Sequence, residues 1–127
     1  MPRDSDTKGL PMKLDFLLIP TEDLAASLAF YRDALDFTEV WREGNSTAAM
    51  SLAGSDTQIM LDSSDPEAAA GPVFVVDRVK QFHAALPVNL AVVDEPTEIP
   101  GGFMAAYRES GGSTLYVLDQ STEDSDQ

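Results

Sequence analysis

Short apolar runs separated by turn-forming residues recur along the chain, and the first of them leads into a helical pattern. Residues 14–19 are mainly apolar and end at Pro20, after which Thr21 to Asp23 supply side chains that can cap a helix. Leucine and tyrosine then recur at intervals of four, three and four residues, which is typical of one face of an amphipathic helix. The pattern predicts a strand over 14–19, a turn and a helix over 23–35.

The residues after this helix predict a three-stranded meander. Short apolar or alternating runs are bounded by turn residues around Gly44 and Gly54. The predicted strands cover 37–41, 47–53 and 58–61. A linker of small and polar residues, 62–71, follows.

The same order of elements then appears a second time. A dense β-branched run over 72–76 precedes a helix that Asp77 can cap and Pro87 ends. The remaining strands are predicted over 88–93, 103–107 and 114–118.

The repeat is visible in residues as well as in order. The sequence TQIMLD at 57–62 matches TLYVLD at 114–119, so that Asp62 and Asp119 hold equivalent positions. Neither half could bury an adequate core alone, because four strands and one helix leave a sheet face uncovered. We interpret the chain as a duplicated half-domain of α+β class, with modules over 14–62 and 72–119.

Three stretches resemble a known superfamily in their order and spacing. They are IPTEDLAASLAFYRDALDF, GPVFVVDRVKQFHAAL and EPTEIPGGFMAAYRESGGSTLYVLD. They are similar to the first-module start, the second-module start and the closing hairpin of the vicinal oxygen chelate superfamily. This superfamily includes glyoxalases, bleomycin-resistance proteins and extradiol dioxygenases.

The resemblance implies two βαβββ modules that form a curled mixed sheet around a concave cleft, with the helices outside. It also implies a homodimer. We expect one such domain over 14–119, a flexible leader over 1–13 and a disordered acidic tail over 120–127.

The metal-dependent members of that superfamily place four ligands in the cleft, on strands one, four, five and eight. The corresponding residues here are Phe16, Met60 (or Ile59 if the internal repeat sets the register), Gly71 and Tyr116. Phenylalanine, methionine and glycine side chains offer no hard donor to a divalent metal, and a neutral tyrosine is a poor one. The sequence therefore predicts that the metal site is absent and that no cofactor is bound.

An apolar ligand site is the alternative use of such a cleft. The predicted ligand-binding side chains are aromatic or methionine: Phe16, Trp41, Met50, Met60, Phe103, Tyr107 and Tyr116. These side chains suit a flat organic molecule held by stacking and burial, with tyrosine hydroxyls as orienting groups. They would equally suit a closed core or a dimer contact, and this alternative stays open.

Two further candidates are interpreted as structural rather than catalytic. His83, the single histidine, is expected to be exposed on the second helix rather than to act as a general base. Asp62 and Asp119 are expected to be solvent-facing at strand ends rather than an acid–base pair. No catalytic residue is therefore predicted.

The acidic composition restricts the partners. The net charge is −14, and residues 14–118 alone hold 16 acids and five bases. Such a field repels nucleic acid and anionic membranes and favours encounter with cations, although solubility or a salt-adapted host explains it more simply. The chain has no cysteine, and no apolar run approaches the roughly 20 residues that span a bilayer. We expect a cytoplasmic protein with a small organic ligand.

The leading functional hypothesis is a metal-free small-molecule binding protein that resembles the bleomycin-resistance branch. It would bind or sequester an aromatic or cationic compound without chemistry. The alternatives are a glyoxalase-like lyase, isomerase or dioxygenase, and a structural or regulatory dimer with a filled cleft.

Overall fold

The order strand, helix, three strands occurs twice in the chain. The computed structural model describes residues 12–87 and 89–121. The strands are β1 (Met12–Pro20), β2 (Thr38–Glu43), β3 (Thr47–Ser51), β4 (Gln58–Asp62), β5 (Gly71–Val76), β6 (Ala91–Ile99), β7 (Gly102–Arg108) and β8 (Thr114–Leu118). The helices are α1 (Leu24–Leu35) and α2 (Val79–Ala84). The predicted α+β class and its two βαβββ modules are confirmed.

The chain divides into two compact units. One holds residues 15–72, and the other holds the residues from Val73 onward together with residues 12–14. Residues 1–11 of the predicted leader (1–13), residues 122–127 of the predicted tail (120–127) and Val88, the predicted start of the sixth strand, lie outside the described residues. Met12 and Lys13, which the prediction assigns to the leader, belong to β1.

The first module is a four-stranded mixed sheet with strand order β2-β3-β4-β1. β1 and β4 are parallel, whereas β3 pairs antiparallel with both β2 and β4. Helix α1 begins as predicted, because the Asp23 carboxylate accepts a hydrogen bond from Ala26 N at 3.0 Å. The helix ends at Asp36, whose φ of 68° is left-handed.

Helix α1 buries one stripe against the sheet. Leu24 and Leu28 are buried and pack with side chains from β3 and β4. The sheet side chains in this cluster are Ala48, Met50, Ile59 and Leu61. Full burial of one such leucine contributes about 1.5–3 kcal/mol, which is why the helix stays on this face of the sheet.

The second module repeats the arrangement with strand order β5-β8-β7-β6. β5 and β8 are parallel, and the β6–β7 and β7–β8 pairs are antiparallel. Helix α2 has six residues and packs Val79 and Phe82 on Ala105, Tyr107 and Val117. Asp77 does not cap it: the N-cap position is Arg78, whose side chain makes no capping hydrogen bond.

Several strand boundaries differ from those predicted: β1 begins two residues earlier, at Met12, β3 ends two residues earlier, at Ser51, and β6 and β2 differ as follows. β6 extends to Ile99 instead of ending at Val93, and it passes through Pro96. Its pairing with β7 shifts register between Asp94 and Thr97, and an edge strand with such irregularities tolerates a proline. The second half of this strand contains Asp94, Glu95 and Glu98, and this charged sequence did not fit the pattern used to predict strands. β2 runs over Thr38–Glu43 rather than 37–41, with a register shift between Glu39 and Trp41.

Each module's sheet has two distinct faces. We call the face that packs on the module's own helix the helix face, and the other the far face. Side chains alternate between them along every strand. In the first module, Ala48 and Ile59 lie on the helix face, so Ala49 and Met60 lie on the far face.

Candidate functional site

A row of side chains crosses the far face of the first module. Trp41 on β2 pairs with Ala49 on β3, Ala49 pairs with Met60 on β4, and Met60 pairs with Leu18 on β1. Directly paired residues project on the same side of a sheet. Phe16 lies two residues before Leu18 and therefore shares this face. Of the predicted site residues, the structure places Phe16, Trp41 and Met60 on the same face of this module.

A second, polar row runs beside the first. Glu43 on β2 pairs with Thr47 on β3, and Thr47 pairs with Asp62 on β4. The Thr47 hydroxyl donates to Asp62 Oδ1 at 2.8 Å, and the Ser64 hydroxyl lies 2.8 Å from Asp62 Oδ2. These hydrogen bonds fix the Asp62 carboxylate at the strand end. Glu43 is exposed at the edge strand.

Burial differs sharply along the apolar row. Leu18, Ala49 and Met60 are buried, but 36% of Trp41 is exposed. The register shift on β2 makes Val40 an extra residue opposite β3, and such bulges re-aim the side chains beside them. The result is an accessible indole on the edge strand, at one end of a buried apolar row, with Glu43 two residues along the same strand and Asp62 two strands away on the same face.

An exposed indole on the same face as two carboxylates has the chemical features that attract a flat cation. An indole face attracts a cation with about 0.5–1 kcal/mol at exposed sites, and nearby carboxylates add to that attraction. The Asp62 carboxylate already accepts hydrogen bonds from Thr47 and Ser64.

The far face of the second module holds Tyr116 and Gly71. Tyr116 pairs with Val73 on one side and with Ala106 on the other, and all three are buried. Gly71 lies two residues before Val73 and therefore shares its face. Of the predicted ligand-binding residues, Tyr116 alone belongs to this far face.

Three predicted ligand-binding residues lie on helix faces instead. Met50 belongs to the core beneath α1 and is 1% exposed, while Tyr107 and Phe103 belong to the core beneath α2. The expectation that they wall the same surface as Met60 and Tyr116 was wrong. In β3 and β7 both faces carry small or apolar side chains, so alternation alone did not show which set packs on the helix.

His83 is half-buried rather than exposed. Its Nδ1 lies 2.8 Å from the Tyr107 hydroxyl, and its Nε2 lies 3.3 Å from Glu95 Oε1. Burial, together with the charge of Glu95, raises the pKa of Tyr107 above its usual value. The three residues come from α2, β7 and β6, so no local sequence pattern could have grouped them. They join the helix to two strands.

Asp119 is buried, contrary to the expectation of a solvent-facing residue. It is 2% exposed, and its carboxylate accepts hydrogen bonds from Val79 N at 2.6 Å and Phe103 N at 2.9 Å. Burial alone would raise its pKa, but the N–H donors of Val79, Ser121 and Phe103 outweigh burial and lower it. Asp119 is therefore a structural anion that caps α2.

Comparison with known families decides the classification. The sequence profile of the glyoxalase/bleomycin resistance protein/dioxygenase superfamily matches residues 13–115. The chain belongs to this superfamily. No curated protein sequence gives a match.

Solved structures agree with the superfamily fold at low sequence identity. An NAD-dependent benzaldehyde dehydrogenase from Legionella pneumophila is 16% identical with a TM-score of 0.65, covering 87% of this chain and 99% of that one. Methylmalonyl-CoA epimerase from Mycobacterium tuberculosis is 17% identical with a TM-score of 0.65, covering 90% and 91%. A superfamily member from Vibrio splendidus 12B01 is 13% identical with a TM-score of 0.53, covering 86% and 99%. At these identities the likeness shows the fold alone.

The residues of this superfamily member do not fit a divalent metal at the four expected positions. Phe16, Met60, Gly71 and Tyr116 all lie on far faces, as the resemblance implies, but none presents an imidazole or a carboxylate. Among the residues that the structure describes, no three His, Cys, Asp or Glu side chains are grouped so as to hold a metal ion.

None of the described helices is long and apolar enough to cross a membrane.

Proposed function

We propose that this superfamily member is a small-molecule binding protein, similar to the bleomycin-resistance branch, that holds a flat aromatic cation without reacting with it. The observation that carries this proposal is the exposed indole of Trp41 at the edge-strand end of a buried apolar row, on the same face as the carboxylates of Glu43 and Asp62. A planar ligand would stack on the indole and direct its positive charge toward the polar row.

The exposed part of Trp41 sets the scale of the affinity. With 36% of the residue exposed, covering the indole removes roughly 90 Å² from water, taking a full tryptophan surface of about 250 Å². At about 25 cal/mol per Å² this contributes about 2 kcal/mol, and the matching ligand surface contributes a similar amount. Cation–π attraction and the carboxylates add about 2 kcal/mol. The total of about 6 kcal/mol limits the Kd to tens of micromolar or weaker.

The overall charge supports a cation in preference to an anion. A net charge of −14 raises the local concentration of positive ligands at low ionic strength. The enzyme alternative has less support, because the far faces lack metal donors at the expected positions. Binding without a chemical reaction does not require metal donors.

The test uses the single tryptophan of the chain as a reporter. N-methylquinolinium is titrated while the indole N–H resonance of Trp41 is followed by NMR. We expect saturable shifts, a Kd that is at least threefold higher for Glu43→Gln, and no change for Glu67→Gln, an exposed acid in the linker. Calorimetry on Trp41→Leu should show at least a tenfold loss.

Two results would reject the proposal. One is equal binding of uncharged 2-methylnaphthalene and N-methylquinolinium, which would remove the role of charge. The other is undiminished binding to Trp41→Leu. Turnover of any added substrate by the purified protein would favour the enzyme alternative.

We also propose, from the resemblance, that the protein is a cytoplasmic homodimer. Light scattering on the purified chain should give twice the mass of 13.7 kDa. A single-chain mass at micromolar concentration would reject the dimer.

A further inference from the structure

A groove on the helix side of the first module lies apart from the Trp41 surface. Its volume is about 520 Å³, and it runs between α1 and the β2–β3 turn. The lining residues are Leu24, Ala25, Leu28, Arg32, Arg42 and Asn45. Arg42 pairs with Ala48 of the helix face, so the groove and Trp41 lie on opposite faces of the sheet. We call it the arginine groove.

The lining separates into an apolar part and a polar part. Leu24, Ala25 and Leu28 succeed one another on α1, and the two leucines are buried. The polar part has two guanidinium groups and one amide, but no carboxylate. This composition is unexpected in a chain with 22 acidic and 8 basic residues. Although Asp33 and Glu39 pair with these arginines from outside the lining, the groove itself presents guanidinium and amide N–H donors, which suit an anionic rather than a cationic ligand.

Both guanidinium groups are held by neighbouring carboxylates along one edge only. Arg42 donates from Nε and Nη2 to Glu39, both at 2.9 Å. Arg32 donates from Nε and Nη2 to Asp33, at 2.9 and 3.3 Å. A guanidinium group has five N–H donors in a planar fork, and these pairs use two of them. Among the described residues, neither Nη1 atom donates a hydrogen bond, so the outer edge of each fork can bind a second carboxylate.

The two arginines act on the same carboxylate. Hydrogen bonding to Arg42 lowers the pKa of Glu39 despite its partial desolvation, and the charges of Arg42 and Arg32 lower it further. The existing pairs also restrict the arginine rotamers, which reduces the entropy lost when a ligand binds.

We propose that the arginine groove binds a small amphipathic monocarboxylate. The carboxylate would accept hydrogen bonds from the outer edges of Arg32 and Arg42 and from the Asn45 amide. The alkyl or aryl part would lie on Leu24 and Leu28. The volume falls within the range of about 300–1,000 Å³ found for small-molecule sites. This site is independent of the proposed function on the far face.

The experiment titrates the full chain with octanoate and follows the Asn45 side-chain amide by NMR. Octanol and octylamine are the neutral and cationic controls. We expect octanoate alone to give saturable shifts. The Kd should rise at least tenfold in Arg42→Gln and in Arg32→Gln.

Matched variants separate the groove from general effects of charge. Arg108→Gln removes an exposed arginine of β7 and should leave the octanoate Kd unchanged. Ala25→Glu places a carboxylate in the groove at an exposed helix position and should abolish binding. Trp41→Leu should not alter octanoate binding, so failure of the far-face site would leave this result intact.

Three results would overturn the inference. They are absence of octanoate shifts up to 10 mM, equal shifts with octanol, and an equal loss of affinity in Arg108→Gln. Urea denaturation of each arginine variant checks folding, and we expect unchanged midpoints because the arginine side chains are 57% and 43% exposed.

Discussion

Replacing Asp119 with alanine should strongly destabilise the protein, although the residue lies just after the last strand, β8. The carboxylate is 2% exposed and accepts hydrogen bonds from the backbone N–H groups of Val79 and Phe103. Helix α2 has no side-chain cap of its own at Arg78. Alanine would therefore leave the backbone N–H groups of Val79 and Phe103 without their acceptor, together with the longer contact from Ser121 N at 3.2 Å.

The magnitude follows from the number of donors left unsatisfied. A buried donor without a partner costs about 1–3 kcal/mol; this applies in full to the Val79 N–H and less to the part-buried Phe103 N–H, so the expected loss is roughly 2–4 kcal/mol. Val79 is fully buried, which prevents water from replacing the carboxylate at its N–H group. A typical domain has a total stability of about 5–15 kcal/mol, so the loss is a large part of it. Asp119→Asn keeps one acceptor oxygen and should lose about 1–3 kcal/mol.

The assay is urea unfolding followed by far-ultraviolet circular dichroism, with Asp62→Ala as the control. Asp62 is half-buried, and its partners are the hydroxyls of Thr47 and Ser64, which can turn toward water. We expect Asp62→Ala to stay within about 1 kcal/mol of the natural chain. Equal losses for the two variants, or a loss below 1 kcal/mol for Asp119→Ala, would refute the reasoning.

Three further predictions concern the same module. The folded-state pKa of Asp119 is lowered, so its contribution to the free energy of unfolding is present above the usual carboxyl pKa and is lost as pH falls through the folded value. In urea unfolding below pH 4, the stability of Asp119→Asn should therefore fall less steeply with pH than that of the unsubstituted protein. The pKa of Tyr107 is raised, so its contribution to the free energy of unfolding is present below the usual tyrosine pKa of about 10 and is lost at higher pH. The difference between the ultraviolet titrations of the unsubstituted protein and of Tyr107→Phe should show this phenol ionising above pH 10. Gly102→Ala should cost about 1–3 kcal/mol in urea unfolding, because a Cβ there would collide with the carbonyl oxygen and Oδ1 of Asp119, and an unchanged midpoint would contradict that contact.

Local sequence patterns were sufficient to predict most of the elements. Asp23 caps α1 as expected, and β8 has the predicted bounds of 114–118. Both depend on residues close together in the sequence: a capping side chain before a periodic helix, and a β-branched run after a glycine turn. The order of the elements along the chain, a strand, a helix and three strands in each module, was predicted from the same signals.

The composition of the site could be predicted only in part. Phe16, Trp41 and Met60 share a face as expected, but Met50 lies on the other side of the sheet. Residues 48–50 are alanine, alanine and methionine, so the sequence of β3 is apolar on both faces, and all three residues are buried. Side-chain alternation gives the period of a strand and not its phase, which depends on where the helix packs.

Contacts between residues far apart in the sequence could not be predicted from local sequence patterns. Val79 and Asp119 are 40 residues apart, and His83 meets Tyr107 across 24 residues. Each polar group could equally have been satisfied by solvent or by a nearby turn. Only the packing of α2 on β7 and β8 brings these groups together.

The internal repeat explains why two similar aspartates have different roles. The sequence match pairs Met60 with Val117 and Asp62 with Asp119, yet Met60 lies on a far face and Val117 in a helix-face core. The structural repeat is therefore displaced by one residue, and a one-residue displacement moves every side chain to the opposite face. Asp119 consequently points to α2 and caps it. Asp62 points to the far face beside Thr47, and α1 depends on its local cap instead. The displacement thus releases one acidic residue of the duplicated pair to charge the proposed ligand surface.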